Sequence, residues 1–199
     1  MLIKLAVLIG AYLLGSIPTA LIYSRWRSGQ DIRLQGDGNM GARNTKHIYG
    51  WKAGIFVASM DMLKGWLAVV LANLAGLSIY WMLAAAAAVI LGHDFPVFAR
   101  FKGGQGFAAT SGAFIGLFPI PGLIALFLYT SLYVITRNSD LAAGIAMAYL
   151  VGAVWYFQRE VVIVAALIIL LLFVPFKKWL DRHRLDQVTA LENGKGHSA

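Results

Sequence analysis

The chain has 199 residues, 59% hydrophobic and 13% charged, with a net charge of +8 and a mean hydropathy of +0.70. Soluble domains are about 45–50% apolar, and so few charges cannot cover a soluble globule; the composition describes a single integral membrane domain over 1–199. The chain contains no cysteine, which excludes disulfides and thiolate metal sites.

Seven apolar segments follow in chain order, at 2–23, 54–72, 79–92, 107–118, 122–136, 141–157 and 161–176. A full helical crossing takes about 20 residues. The segments 79–92 and 107–118 are therefore tilted, extended into their loops, or half-spans, and the crossing count lies between five and seven. The first run carries Lys4 alone and lacks a small-residue cleavage pattern, so it reads as a retained span and not a signal peptide. The expected fold is all-α, a polytopic membrane bundle of seven helices. No internal repeat marks a transporter built from two halves, and the tail after Trp179 is polar.

Charge sets the expected orientation. With seven spans, one side receives 24–53, 93–106, 137–140 and 177–199, which hold 14 of the 17 lysines and arginines. Positive residues mark the cytoplasmic side, so the N-terminus is expected outside and the C-terminus inside. The positive charge then reflects topology and attraction to anionic lipid, worth ~1 kcal/mol per surface cation. It does not indicate nucleic-acid binding.

The first polar interval contains Gly36-Asp-Gly-Asn-Met-Gly41, followed by Arg43, Asn44, Lys46 and His47. Glycines let backbone N–H groups converge on an anion, and the neighbouring donors and cations suit a phosphate. A plain juxtamembrane loop has the same composition. Asp37 opposes an anion; it can pair with Arg43 or cap a helix beginning near Met40.

Asp61 and Lys64 lie within the second apolar segment at i, i+3, on one helix face. Each charge alone at mid-bilayer costs about 2.5–3.5 kcal/mol. As a pair they shape a polar cavity; alternatively, Lys64 snorkels to an interface. Counted from Lys52, Asp61 is about 13 Å deep at ~1.5 Å per residue, which suits a buttress beneath a site.

The second interval runs Gly92-His93-Asp-Phe-Pro96 to Phe101-Lys102-Gly103-Gly104-Gln105-Gly106. Glycines just before a helix present free N–H groups and the positive helix end to an anion, and Lys102 adds a charge. The Gly-Lys-Ser/Thr ending of a nucleotide P-loop is missing. His93 can act as a base, a phosphate ligand or a structural donor. It has no second histidine on its helix face, so no metal site is expected.

These pieces in this order resemble the bacterial membrane acyl-phosphate:glycerol-3-phosphate acyltransferases (PlsY type). The resemblance rests on Gly15-Ser-Ile-Pro18, Asp31-Ile-Arg33, Gly36-x-Gly-Asn39-x-Gly41-Ala-x-Asn44, Asp61-x-x-Lys-Gly65, Gly92-His93-x-x-Pro96-Val-Phe98-x-x-Phe-Lys102-Gly-Gly-x-Gly106-x-Ala-x-Thr110, and the pair His183-Arg184. It implies a seven-helix enzyme of the bacterial inner membrane with its site at the cytoplasmic face. Such an enzyme moves an acyl group from acyl phosphate to the 1-hydroxyl of glycerol 3-phosphate, giving lysophosphatidate and phosphate. No metal, nucleotide or other cofactor is implied, and no protein partner; the partners are the two substrates and the bilayer.

By the resemblance, Asn39, Lys102 and His183 are catalytic. Asp37, Gly38, Gly41, Arg43, Asn44, His47, Gly103, Gly104, Gln105 and Gly106 hold phosphate or acceptor, and Asp61, Lys64, His93 and Arg184 support them. The chain departs from the pattern in five places. The family has serine at Asp37, threonine at Arg43, arginine near His47, a second lysine at Gln105 and asparagine near Asp186. These departures keep two further readings open, a relative with another acceptor and a non-catalytic lipid-binding protein. A small transporter built on Asp61–Lys64 is the weakest alternative.

Overall fold

The computed structural model describes residues 1–182; His183, Arg184 and Asp186 lie outside them. The described residues form nine α-helices: α1 (Leu2–Gly15), α2 (Thr19–Ser28), α3 (Ala42–Tyr49), α4 (Trp51–Leu74), α5 (Ile79–Asp94), α6 (Phe107–Leu117), α7 (Pro119–Thr136), α8 (Ser139–Gln158) and α9 (Val161–Leu180). Short 3-10 turns occupy Ile32–Leu34 and Val97–Ala99. Six stretches are long and apolar enough to cross a membrane, with α1 and α2 counted as one; α6 is shorter. The seven apolar elements match the seven segments read from the sequence, with ends extended by a few residues.

The first span is broken at Ile17-Pro18. Proline has no N–H and cannot continue the helical ladder; the helix restarts at Thr19, whose N–H donates to the Ile17 carbonyl at 3.1 Å, so that carbonyl lies at the break with room for a second donor. Lys64 of α4 is that second donor, its Nζ donating to Ile17 O at 2.9 Å. The break and the buried lysine are thus one feature.

Two helix pairs cross by reciprocal close approach. A Cβ on Gly15 would collide with the Val89 carbonyl of α5, and one on Gly92 with the Tyr12 carbonyl of α1. Likewise, Gly65 of α4 has no room beside the Ala109 carbonyl of α6, nor Gly112 of α6 beside that of Met62. Apolar surface gives little drive between helices in lipid, so small residues that let backbones touch hold such crossings. Buried Val69, Ala72, Ala86, Val89, Ala113, Phe114, Leu150 and Leu167 fill the centre.

Helix α6 sets the depth of the second glycine loop. At ~1.5 Å per residue it is about 16 Å long, against about 27 Å for α7 beside it. Its first residue, Phe107, meets Tyr129 in the middle of α7, with ring centroids 4.5 Å apart. The loop before α6 therefore lies about 10 Å below the end of α7.

Candidate active site

The floor of the site is a buried charge cluster. Asp61 and Lys64 are 2% and 4% exposed. The Asp61 Oδ1 receives Lys64 Nζ at 2.9 Å and the Thr19 hydroxyl at 2.9 Å, and stands 3.6 Å from His93 Nδ1. Lys64 does not snorkel; it is pinned between Asp61 and Ile17. The cluster ties α2, α4 and α5 together.

Above it, the first loop is organised by Asn44. Its amide donates to the carbonyls of Ile32 (3.3 Å), Gln35 (2.9 Å) and Asn39 (3.0 Å), and its Oδ1 accepts from Asp37 N–H at 3.1 Å. It is fully buried and its side-chain bonds are committed to the loop, so its place in this structure is to shape the turn and not to face the cavity. Asp37 neither pairs with Arg43 nor caps a helix. Its Oδ1 accepts from Asn39 N–H at 2.9 Å, and the helix starts later, at Ala42, behind Gly41. Asn39 Oδ1 is buried and has no donor among the described residues.

Arg33 joins the two loops. Its Nη1 donates to Ala99 O at 2.8 Å, while Nε and Nη2 grip the Asp31 carboxylate at 2.9 and 2.6 Å. Hydrogen bonds from the Arg33 side chain, foremost, hold the Asp31 carboxyl below the usual carboxylate range.

In the second loop, Gly104 N donates to His93 O at 3.3 Å. A Cβ on Gly104 would stand 2.5 Å from His93 Nε2 and 3.0 Å from Met40 O of the first loop, so the two loops interlock there. Gly106 takes a left-handed turn (φ 74°) before α6. No side chain caps α6, so its first-turn N–H groups have no cap to satisfy them.

The loops share one cavity. Asn39, Gly41 and Arg43 line it from the first, Gln105 and Gly106 from the second, with Asp61 and His93 beneath. A narrower apolar slot shares Phe107, Ser111, Leu126, Tyr129 and Ala143 with the cavity and continues past Ala146 to Phe114, Leu150 and Leu171. On α6, α7 and α8 alike it descends two helical turns, about 10 Å.

The glycerol-3-phosphate acyltransferase family profile matches residues 5–185. The chain belongs to that family. The glycerol-3-phosphate acyltransferase of Geotalea daltonii is 37% identical over 186 residues, 94% of this chain and 95% of the relative. Glycerol-3-phosphate acyltransferase 1 of Dehalococcoides mccartyi is 39% identical over 186 residues, 90% of this chain and 89% of the relative. The crystal structure of PlsY, an integral membrane glycerol 3-phosphate acyltransferase, in its glycerol 3-phosphate form has a TM-score of 0.81 and 28% identity over 92% of both chains. Its lysophosphatidic acid form gives 0.78 and 26%. The chain is thus a multi-pass membrane protein of this family.

Several residues expected at the site lie elsewhere. Lys102 is exposed and absent from the cavity wall. The backbone turns through left-handed Arg100 and Phe101 (φ 55° and 59°), and the glycines after Lys102 go inward without it. His47 is exposed and lies outside the cavity wall, on an adjoining outer concavity with Arg43 and Arg137 that shares Ala42, Arg43 and Tyr129 with the cavity. Gly103 packs against the His93 and Asp94 carbonyls, and Gly38 is buried; both support the cavity from behind. His183 and Arg184 fall outside the described residues. In the other direction, Tyr129, Asp140 and Lys178 line the cavity and were not singled out from the sequence. Lys178 belongs to a basic pair ending an apolar run, and that pattern also marks membrane orientation.

Proposed function

We propose that this protein transfers a fatty acyl group from acyl phosphate to the 1-hydroxyl of glycerol 3-phosphate at the cytoplasmic face of the bacterial inner membrane, within phospholipid synthesis. One observation carries the reading: two polar glycine loops share a cavity that opens below into an apolar slot. A phosphate belongs in the first and an acyl chain in the second, which puts the reacting carbonyl at their junction near Phe107. The family's names support the acceptor; the donor is what the resemblance to the acyl-phosphate-dependent enzymes implies, and a junction of anion site and chain slot suits it; the excess of lysine and arginine at the loop end supports the cytoplasmic placement.

The acceptor hydroxyl attacks the acyl carbonyl, a C–O ester bond forms, the acyl–phosphate C–O bond breaks, and the hydroxyl proton leaves with the phosphate. The leaving group is good, so the protein contributes alignment and charge stabilisation. Asn39 Oδ1, buried without a donor, accepts from the acceptor hydroxyl. The α6 N–H groups, at the positive end of the helix dipole, face developing negative charge. Arg43 meets phosphate from the cavity wall. His93, wedged between Asp61 and Gly104, positions the loop.

The test is product analysis of purified protein given acyl phosphate with glycerol 3-phosphate, beside a panel of other alcohols. Lysophosphatidate and phosphate in equal amounts are expected, and Asn39→Ala lowers the rate by about a hundredfold to a thousandfold, the loss typical of one positioned polar group in a transition state. Acyl transfer to other alcohols alone overturns the acceptor assignment.

A further inference from the structure

Among the described residues, the shared cavity carries two full positive charges on its wall, Arg43 and Lys178. Gln105, from the second loop, is neutral. Asp61 is already neutralised by Lys64. The other carboxylate on the wall is Asp140, which Lys178 Nζ grips at 2.9 and 2.8 Å to its two oxygens.

This pair stands at the cavity mouth. Asp140 is fixed at the start of α8, where Asn138 Oδ1 accepts from its N–H at 3.1 Å. Lys178 projects from the end of α9, and Val174, one turn below it, lines the same wall. Its neighbour Lys177 turns the other way, buried and ion-paired with Asp181, so the helix end is anchored while Lys178 faces the cavity. The Lys178 and Asp140 side chains are 44% and 76% exposed. An ion pair this open to water contributes at most about 1 kcal/mol. A phosphate dianion offers more charge and more acceptor oxygens than one carboxylate, so it displaces Asp140 readily.

The geometry points to Lys178 as a substrate-phosphate-binding residue, parked on Asp140 and released to the incoming dianion, supplying from α9 the positive charge that Gln105 does not supply from the second loop. The assignment rests on the acyl-transfer reading above. Donor and acceptor both bring a phosphate, and their separate KM values tell which one Lys178 takes.

Lys178→Ala and Lys178→Gln raise KM for one of the two substrates by about tenfold, the loss of one charge-assisted bond, with kcat within about twofold of the parent. Lys178→Arg recovers most of the affinity. Gln105→Lys in the Lys178→Ala background recovers part of it, and Asp140→Asn lowers the same KM. If the parent protein turns over and neither KM moves in Lys178→Ala or Lys178→Gln, the inference is overturned while the acyl-transfer reading stands. If the parent does not turn over these substrates, that reading falls. Protection of parent and Lys178→Gln against heating by inorganic phosphate then decides: weaker protection of the variant supports Lys178, and equal protection removes it.

Discussion

Asp61 and Lys64 owe their burial to a third residue that touches neither substrate. Pro18 breaks the first span and turns the Ile17 carbonyl toward α4, where Lys64 takes that carbonyl and Asp61 together. Removing one buried partner leaves the other charge uncompensated, at about 3–5 kcal/mol. Asp61→Ala should therefore fall by about that amount in detergent-solution unfolding, and Asp61→Ala with Lys64→Met should recover most of it. Equal loss in the single and double variants would show that the ion pair is not what stabilises the junction. The i, i+3 spacing made the pair legible in the sequence. Its partners Ile17 and Thr19 were not, because only folding sets the broken span beside α4. Lys102 shows the opposite failure: its residue type suited a phosphate, but two left-handed residues before it decide which way it faces, and nothing in a run of Arg-Phe-Lys announces them.

At the scale of elements, hydropathy located every apolar helix because lipid demands long apolar runs whatever the packing. It said nothing of which helices touch. That is fixed by glycines whose meaning depends on the neighbour's backbone. Gly65 and Gly112 lie where α4 and α6 meet, whereas Gly144 and Gly152 of α8 have open space around them. Gly65→Ala should cost at least about 1–3 kcal/mol, the usual effect of overpacking. Gly144→Ala and Gly152→Ala should be neutral or stabilising by up to about 1 kcal/mol through helix propensity. Melting of the purified variants in one detergent checks the contrast, and comparable losses at the two kinds of position would contradict it. Helix α3 is legible in the sequence as a helix beginning near Met40, two residues before its start at Ala42; the Asn44-centred turn reads only as a polar interval, since its order comes from side-chain bonds to backbone and not from periodicity.

For the whole molecule, the two glycine loops, the 137–140 turn and the end of α9 gather at one end, whereas Lys4 lies over Trp81 and Tyr80 bonds Glu160 at the other. The chain has no cysteine, so orientation can be read with single introduced thiols. Ser28→Cys should react with an impermeant thiol reagent only from the cytoplasmic side, and Ser78→Cys only from outside. Labelling of both from one side would overturn the orientation.

The side chains that line the apolar slot reach no deeper than Phe114, Leu150 and Leu171, and they are apolar. A polar notch cut into one leaflet therefore stops against a hydrocarbon plug. Water and ions that enter the cavity meet apolar side chains below it and not a polar path onward, and a cell that stores energy as a proton gradient can carry many copies of such a protein without short-circuiting it.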